Sequence, residues 1–134
     1  MSLFGAIDVS GSGVQAMQTW IDANAGNVAN ADDTVAPGTT PYEAEVAHLT
    51  PASAGADGTP GGVAVSISAA TNRGVVERSP GNPLADKNGD VVVPDISLGD
   101  QLVGLIQAQE GYQADTSAIT RAISAYQSGI GIGG

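Results

Sequence analysis

The sequence contains no cysteine, only one histidine and very few cations. The absence of cysteine excludes disulfides and thiolate metal ligands, but it does not fix the cellular compartment. Four Lys and Arg residues stand against 14 Asp and Glu residues, giving a formal net charge of −10, and no cation precedes Arg73. Because nucleic acids and anionic membrane surfaces are bound through clustered cations, we expect neither as a partner.

Long apolar runs are also missing. No stretch approaches the roughly 18 consecutive apolar residues that a membrane-spanning helix needs. The N-terminus shows no basic segment followed by an apolar run, so we expect no cleaved secretory signal. With 134 residues, the chain is long enough for one modest domain.

The clearest pattern that is present lies between residues 98 and 130. Apolar or compatible residues recur there at alternating steps of four and three, the average 3.5-residue period of a helix that packs along one side. The positions are Leu98, Leu102, Leu105, Gln109, Tyr112, Thr116, Ile119, Ile123, Tyr126 and Ile130. The pattern predicts one long C-terminal helix whose stripe must be covered by another helix.

The N-terminal segment repeats this alternation. Its positions are Leu3, Ile7, Ser10, Val14, Met17, Ile21, Asn24 and Val28. Although the Ser10–Gly13 segment disfavours a helix, the spacing keeps its phase across it, which predicts one helix, capped by Ser2, that ends near Asn30. Two matching stripes predict a parallel or antiparallel helix pair. Further apolar residues off the stripes, Phe4 and Trp20 among them, indicate contacts with other chains.

Between the helices the sequence favours short strands. Alternating residues predict strands at 42–49 and 63–68, a third candidate at 74–78 and a fourth at 91–93. A Gly/Ala/Pro/Ser-rich segment near 50–62 indicates a flexible loop, and Asn88-Gly89 indicates a two-residue hairpin turn. We therefore predict an α+β fold with long N- and C-terminal helices packed as a coiled-coil-like pair around a small antiparallel β insertion. The expected divisions are residues 1–31, 32–96 and 97–134.

Motifs that could carry chemistry are weak. Gly11 to Ala16 fits a loose dinucleotide fingerprint, but a helical pattern runs through it where a strand–helix turn is required. The segment beginning at Asp86 matches the first three ligand positions of a calcium loop, yet Val91 and Ser97 stand where Gly and Glu are needed. His48 has no second His or Cys beside it, and Glu43 and Glu45 suit edge protection of a strand. We expect no catalytic, cofactor-binding or metal site.

Three asparagines recur at the end of the first helical segment: Asn24, Asn27 and Asn30. Buried amides fix the register of packed helices at a cost in stability. Helix termination alone would also account for such residues, and Asn30 in particular suits it.

Four stretches resemble the flagellar axial family of rod and hook proteins, and within it the proximal-rod subunits. They are Met1-Ser2-Leu3-Phe4 through Gly13; Asn27-Val28-Ala29-Asn30; Pro80-Gly81-Asn82-Pro83 through Ile96; and Leu105-Ile106-Gln107-Ala108-Gln109 with Tyr112-Gln113-Ala114-Asp115. The likeness covers nearly the whole chain in order. Departures occur at Asn82, Asp90 and Asp115, and between residues 31 and 41.

The resemblance implies a structural subunit of the basal-body rod, not an enzyme, with no cofactor. Such proteins are exported through the flagellar type III apparatus without a cleaved signal. In the periplasmic rod they polymerise helically with themselves and other rod subunits, and the rod transmits torque. The residues expected to pack within and between subunits are Ile7, Val14, Met17, Ile21, Asn27, Val28, Asn30, Leu102, Leu105, Ile106, Tyr112, Ile119, Ile123 and Tyr126. Two alternatives remain: another rod or hook subunit, or a non-flagellar helical-hairpin binding module.

Overall fold

The fold was analysed in a computed structural model that describes residues 3–56, 58–71 and 73–132. The elements in chain order are α1 (Leu3–Asn30), β1 (Glu45–Pro51), β2 (Val63–Ala69), β3 (Val75–Arg78), β4 (Asp90–Val93) and α2 (Leu98–Ile132). The predicted α+β class is confirmed: two long terminal helices pack together, and a small antiparallel insertion lies between them in the sequence. Ser2, expected to cap the first helix, lies outside the described residues.

Helix α1 runs unbroken through the Ser10–Gly13 segment, as the phase of the pattern predicted. Its neighbours explain the small residues there. Gly13 is buried, and a Cβ atom at this position would collide with the Asp115 carboxylate of α2. The Ser12 hydroxyl donates to the Val9 carbonyl at 2.7 Å and accepts the N–H of Val63, the first residue of β2. The helix tolerates weak helix formers here because tertiary contacts use them.

The two helices are antiparallel, which the sequence pattern left open. Phe4, at the start of α1, meets Tyr126 near the end of α2, with ring centroids 5.5 Å apart and an edge-to-face geometry. At the other end, Asn27 binds Gln101. Because α2 has 35 residues and α1 has 28, the last residues of α2 extend beyond the start of α1.

The strands form two separate two-stranded sheets. β1 pairs with β2 from Glu45↔Ala69 to Pro51↔Val63. The first predicted strand, 42–49, was wrong at both ends: residues 42–44 are not in a strand, whereas Thr50 and Pro51 are. The pairing ends near Ala44, whose carbonyl still accepts the N–H of Ala70 opposite it, whereas Tyr42 turns its hydroxyl toward Asn27 of α1.

β3 pairs with β4 from Val75↔Val93 to Arg78↔Asp90, and Val35 adds a bridge to Val92. The two-residue hairpin expected at Asn88-Gly89 was wrong. The turn spans three residues between Asp86 and Asp90, closed by the Asp86 N–H bonded to the Asp90 carbonyl at 2.9 Å. Gly89 has φ +82, which fits a type I turn followed by a left-handed glycine.

The core contains almost no large apolar side chains. Its buried apolar residues are Ala16, Ala23, Ala31, Ala44, Val91, Val92, Ala108 and Ala122, and the two largest fully buried side chains are Val91 and Asn27. Fifteen large apolar side chains of the described residues are instead exposed, nine of them on α2. The single chain therefore leaves much of its apolar surface in contact with water.

Candidate assembly surface of the helix pair

The contact between α1 and α2 is made by small residues. We call this contact the small-residue seam. Its buried members on α1 are Gly5, Gly13, Ala16, Ala23, Asn24 and Asn27, and those on α2 are Gly104, Ala108 and Ala122. Small side chains let two helices approach closely, and the seam is not formed by interlocking Leu and Ile side chains.

Three larger side chains fill glycine notches in the seam. A Cβ atom at Gly104 would lie 2.6 Å from Asn24 Nδ2, and one at Gly111 would lie 2.6 Å from Met17 Sδ. The third notch is Gly13, which admits the Asp115 side chain. A larger residue in any notch would displace the end of the side chain that enters it from the opposite helix.

The predicted stripe of α2 lies beside the seam. Gly104, Ala108 and Gly111 each come one position before a stripe residue, and consecutive residues on a helix point about 100° apart. On α1 the relation repeats, since Gly13 precedes Val14 and Asn27 precedes Val28. The bulky residues therefore flank the seam instead of forming it, apart from Met17 and Asn24, which enter it. The Gly/Ala repeat was visible in the sequence and could have identified the seam.

The predicted packing residues divide by exposure. Asn27 is fully buried. Half-buried are Ile7, Val14, Met17, Ile21, Val28, Asn30, Leu105 and Ile119. Exposed are Leu102, Ile106, Tyr112, Ile123 and Tyr126, between 37% and 56% of their full areas. Packing between subunits stays a prediction for them.

The middle of both stripes lines a common groove. Ile21 of α1 and Tyr112 of α2 line it together, and the groove has a volume of about 460 Å³. The remaining lining residues are Gln18, Asp22, Gln109 and Gln113. None of the residues in either stripe is charged, although the chain carries a net charge of −10. We call this shared surface the apolar face.

Asn27 joins the helix pair to the β insertion. Its Nδ2 donates to the Glu45 carbonyl at 2.8 Å and to Gln101 Oε1 at 2.9 Å. Its Oδ1 accepts the Glu45 N–H at 2.8 Å and the Tyr42 hydroxyl at 3.3 Å. Burial, and next the Glu45 carboxylate, raise the pKa of Tyr42 above its ordinary value. The side chain thus ties α1, α2 and β1 together.

A second contact, which sequence analysis missed, holds the other end of the β1–β2 hairpin. The Val63 N–H donates to Ser12 Oγ at 2.9 Å. Ser12 and Asn27 are 15 residues apart, roughly 22 Å along a helix, which matches a seven-residue strand. The hairpin therefore lies lengthwise on α1. No strand packs on α2 among the described elements, so neither sheet covers the stripe of α2.

Asn30 has a local role in the structure. Its Nδ2 donates to the Gly26 carbonyl at 2.8 Å, one turn back in its own helix. This bond stays within the last turns of α1.

In the segment considered as a calcium loop, the first candidate ligand, Asp86, bonds to the main chain of its own loop. Asp86 Oδ1 accepts the Asn88 N–H at 2.7 Å and the Asp90 N–H at 3.0 Å. The bond from Asp90, reinforced by those from Asn88 and Gly89, holds the pKa of Asp86 below its ordinary value. Within the described ranges, no three His, Asp or Glu side chains converge as metal ligands. No helix of the described chain has the length and apolarity to cross a membrane.

In sequence, the chain is similar to several known proteins. The chain is 35% identical over 123 residues to the flagellar basal-body rod protein FlgC of Yersinia enterocolitica, covering 89% of each chain. It is 33% identical over 121 residues to FlgC of Salmonella typhimurium, again covering 89% of each. FlgC of Borreliella burgdorferi is 26% identical over 149 residues, covering 98% of each. No protein-family model matches the chain.

Proposed function

This chain belongs to the FlgC family of flagellar basal-body rod proteins, and we propose that it is a structural subunit of the proximal rod. In this role it assembles helically with copies of itself and with other rod subunits through the apolar face. It performs no catalysis and holds no cofactor. After export by the flagellar type III apparatus, without removal of a signal peptide, it would occupy the rod in the periplasmic space.

The observation that carries this proposal is the distribution of apolar surface. Leu102, Ile106 and Ile123 are 54%, 56% and 44% exposed, whereas the seam buries mainly Gly and Ala. Burying apolar surface contributes about 25 cal/mol per Å², so neighbours that cover this face stabilise the assembly. Neither stripe contains a charged residue, although Asp22 lies beside them in the groove, and this supports the same conclusion because charged residues are depleted from interface cores.

The contacts between the two helices suit a rod wall that carries mechanical load. We propose that residues 1–31 and 97–134 form the axial helical part, and that residues 32–96 form an outer β part attached through Asn27 and Ser12. Helical assembly needs heterologous contacts, in which one patch meets a different patch on the next copy. Close-packed helices resist deformation, so a wall built from them can transmit torque.

The test is a charge placed in the apolar face. Ile123→Asp should abolish rod assembly and swimming while leaving export intact, because an unpaired carboxylate would be buried between subunits. Ser124→Asp is the matched control, since Ser124 is exposed, lies next to Ile123 and points about 100° away. Complementation of a deletion strain, with electron microscopy of basal bodies and blotting of the exported protein, gives the readout. Normal swimming with Ile123→Asp would contradict the proposal.

A self-contained helical-hairpin binding module is the competing function. It requires a discrete monomer or dimer that covers its apolar face with one partner. Light scattering over a range of concentrations separates the two, because a rod subunit forms larger open assemblies as concentration rises.

A further inference from the structure

Asn24 is buried in the small-residue seam with an unpaired donor. Only 6% of the residue is exposed, and its Nδ2 has no hydrogen-bond acceptor among the described residues. The amide fits against Gly104, where a Cβ atom would lie 2.6 Å from Nδ2. Asn27, one turn further along α1, has both polar atoms of its amide bonded. Asn24 is therefore a side chain that weakens the isolated helix pair.

The small residues of the seam select its register poorly, although the Asn27–Gln101 bond and Asp115 in the Gly13 notch also favour the native register. Ala and Gly recur along both helices, so a shift by one turn still brings small residues together. Met17 is flexible and adapts to a new neighbour. Leucine at position 24 would pack about equally well against several small residues of α2. An amide that fits a glycine notch favours the register in which that notch lies opposite it.

We propose that Asn24, seated against Gly104, selects the register of the α1–α2 pair at the expense of its stability. In the register shifted by one turn toward the C-terminus of α2, the amide meets Ala108 instead of the notch, and this register becomes less favourable than the native one. This selection acts within one chain. Its consequence for assembly rests on the proposed function, because register decides whether the stripes of α1 and α2 align into one apolar face.

The register can be measured in the full chain. The sequence has no cysteine, so Gln18→Cys and Gln127→Cys, both at exposed positions, provide the only attachment sites for two spin labels. Asn24 lies opposite Gly104, and continuing this antiparallel pairing along the two helices places the two labels roughly 25 Å apart along the helix axes. Dipolar spectroscopy should give one distance for the parent chain. With Asn24→Leu we expect a second population displaced by roughly 5 Å, one helical turn.

Stability supplies the second readout. Asn24→Leu should raise the thermal midpoint of the full chain by roughly 3–6 °C, because it removes an unpaired buried donor. Val28→Leu is the control: it enlarges an apolar side chain of α1 and should leave the single distance unchanged. A single native distance with Asn24→Leu, a lowered midpoint, or an equally broad distribution in the parent would overturn the inference.

Motility separates this inference from the proposed function. If Asn24→Leu mixes registers and reduces swimming, both stand. If it mixes registers and swimming stays normal, the register role of Asn24 stands and the proposed use of the apolar face in assembly is contradicted.

Discussion

The side chain of Asn27 pairs with both main-chain groups of Glu45, donating to its carbonyl and accepting its N–H, each at 2.8 Å. An amide offers a donor and an acceptor side by side, as a neighbouring strand does, so Asn27 extends the pairing of β1 into α1. Its remaining bonds reach Gln101 on α2 and Tyr42. One fully buried residue thus determines how the helix pair and the β insertion are joined.

Replacing Asn27 tests this junction. Asn27→Ala should lower the free energy of unfolding by about 2–4 kcal/mol, because it removes a buried amide and leaves part-buried groups of Glu45 and Gln101 without these partners. Asn30→Ala is the control and should change it by less than about 1 kcal/mol, since Asn30 bonds only within its own helix. Urea denaturation followed by circular dichroism measures both. Equal effects from the two variants would contradict the junction.

The other end of the hairpin is tested at Ser12. Ser12→Ala removes the acceptor of the Val63 N–H and should speed hydrogen exchange of that amide, with a loss of about 1 kcal/mol in stability. Thr19→Ala removes a hydroxyl that bonds only the Gln15 carbonyl of the same helix. Exchange at Val63 should be unchanged in this second variant. If Ser12→Ala leaves Val63 equally protected, the hairpin is held by other contacts.

Two left-handed glycines in the insertion differ in their surroundings. Gly74 has φ +70, and a Cβ atom there would lie 2.5 Å from the Val93 carbonyl oxygen; Gly38 has φ +91 and open space. Gly74→Ala should therefore cost about 2–4 kcal/mol, from backbone strain together with a clash against main chain that cannot move freely. Gly38→Ala should cost only the strain, about 1 kcal/mol. Thermal unfolding checks the difference, and similar losses would show that the Val93 contact is easily relieved.

The Asp86 turn should depend on pH. Because the pKa of Asp86 is lower in the folded chain, its ionised carboxylate contributes stability above the ordinary Asp pKa, near 3.9. That contribution is lost as pH falls from this value through the folded pKa. An NMR titration should show the Asn88 and Asp90 amide signals moving together with the Asp86 carboxyl. Asp86→Asn keeps an acceptor without the charge and should abolish this transition; a transition that persists would assign it to another group.

The sequence by itself determined the two helices and the second strand, and it indicated contacts beyond one helix pair. The 3.5-residue spacing in residues 3–28 and 98–130 predicted both helices, because burial of one side imposes that period whatever covers it. Alternation at 63–68 predicted a strand for the same kind of reason. Apolar residues in excess of one helix contact, such as Phe4 and Ile106, indicated further contacts before any packing was known.

Only the tertiary structure decided which face closes the chain on itself. Periodicity reports hydrophobicity, whereas contact between two helices also depends on how closely their backbones approach, and Gly104 and Ala108 allow a closer approach than Leu105 and Tyr112. The antiparallel direction, the joining of β3 to β4 across the loop before Asp90, and the partners of Asn27 were likewise fixed by residues distant in sequence. Local patterns carry no information about such neighbours, because each of these contacts forms only when the whole chain is folded.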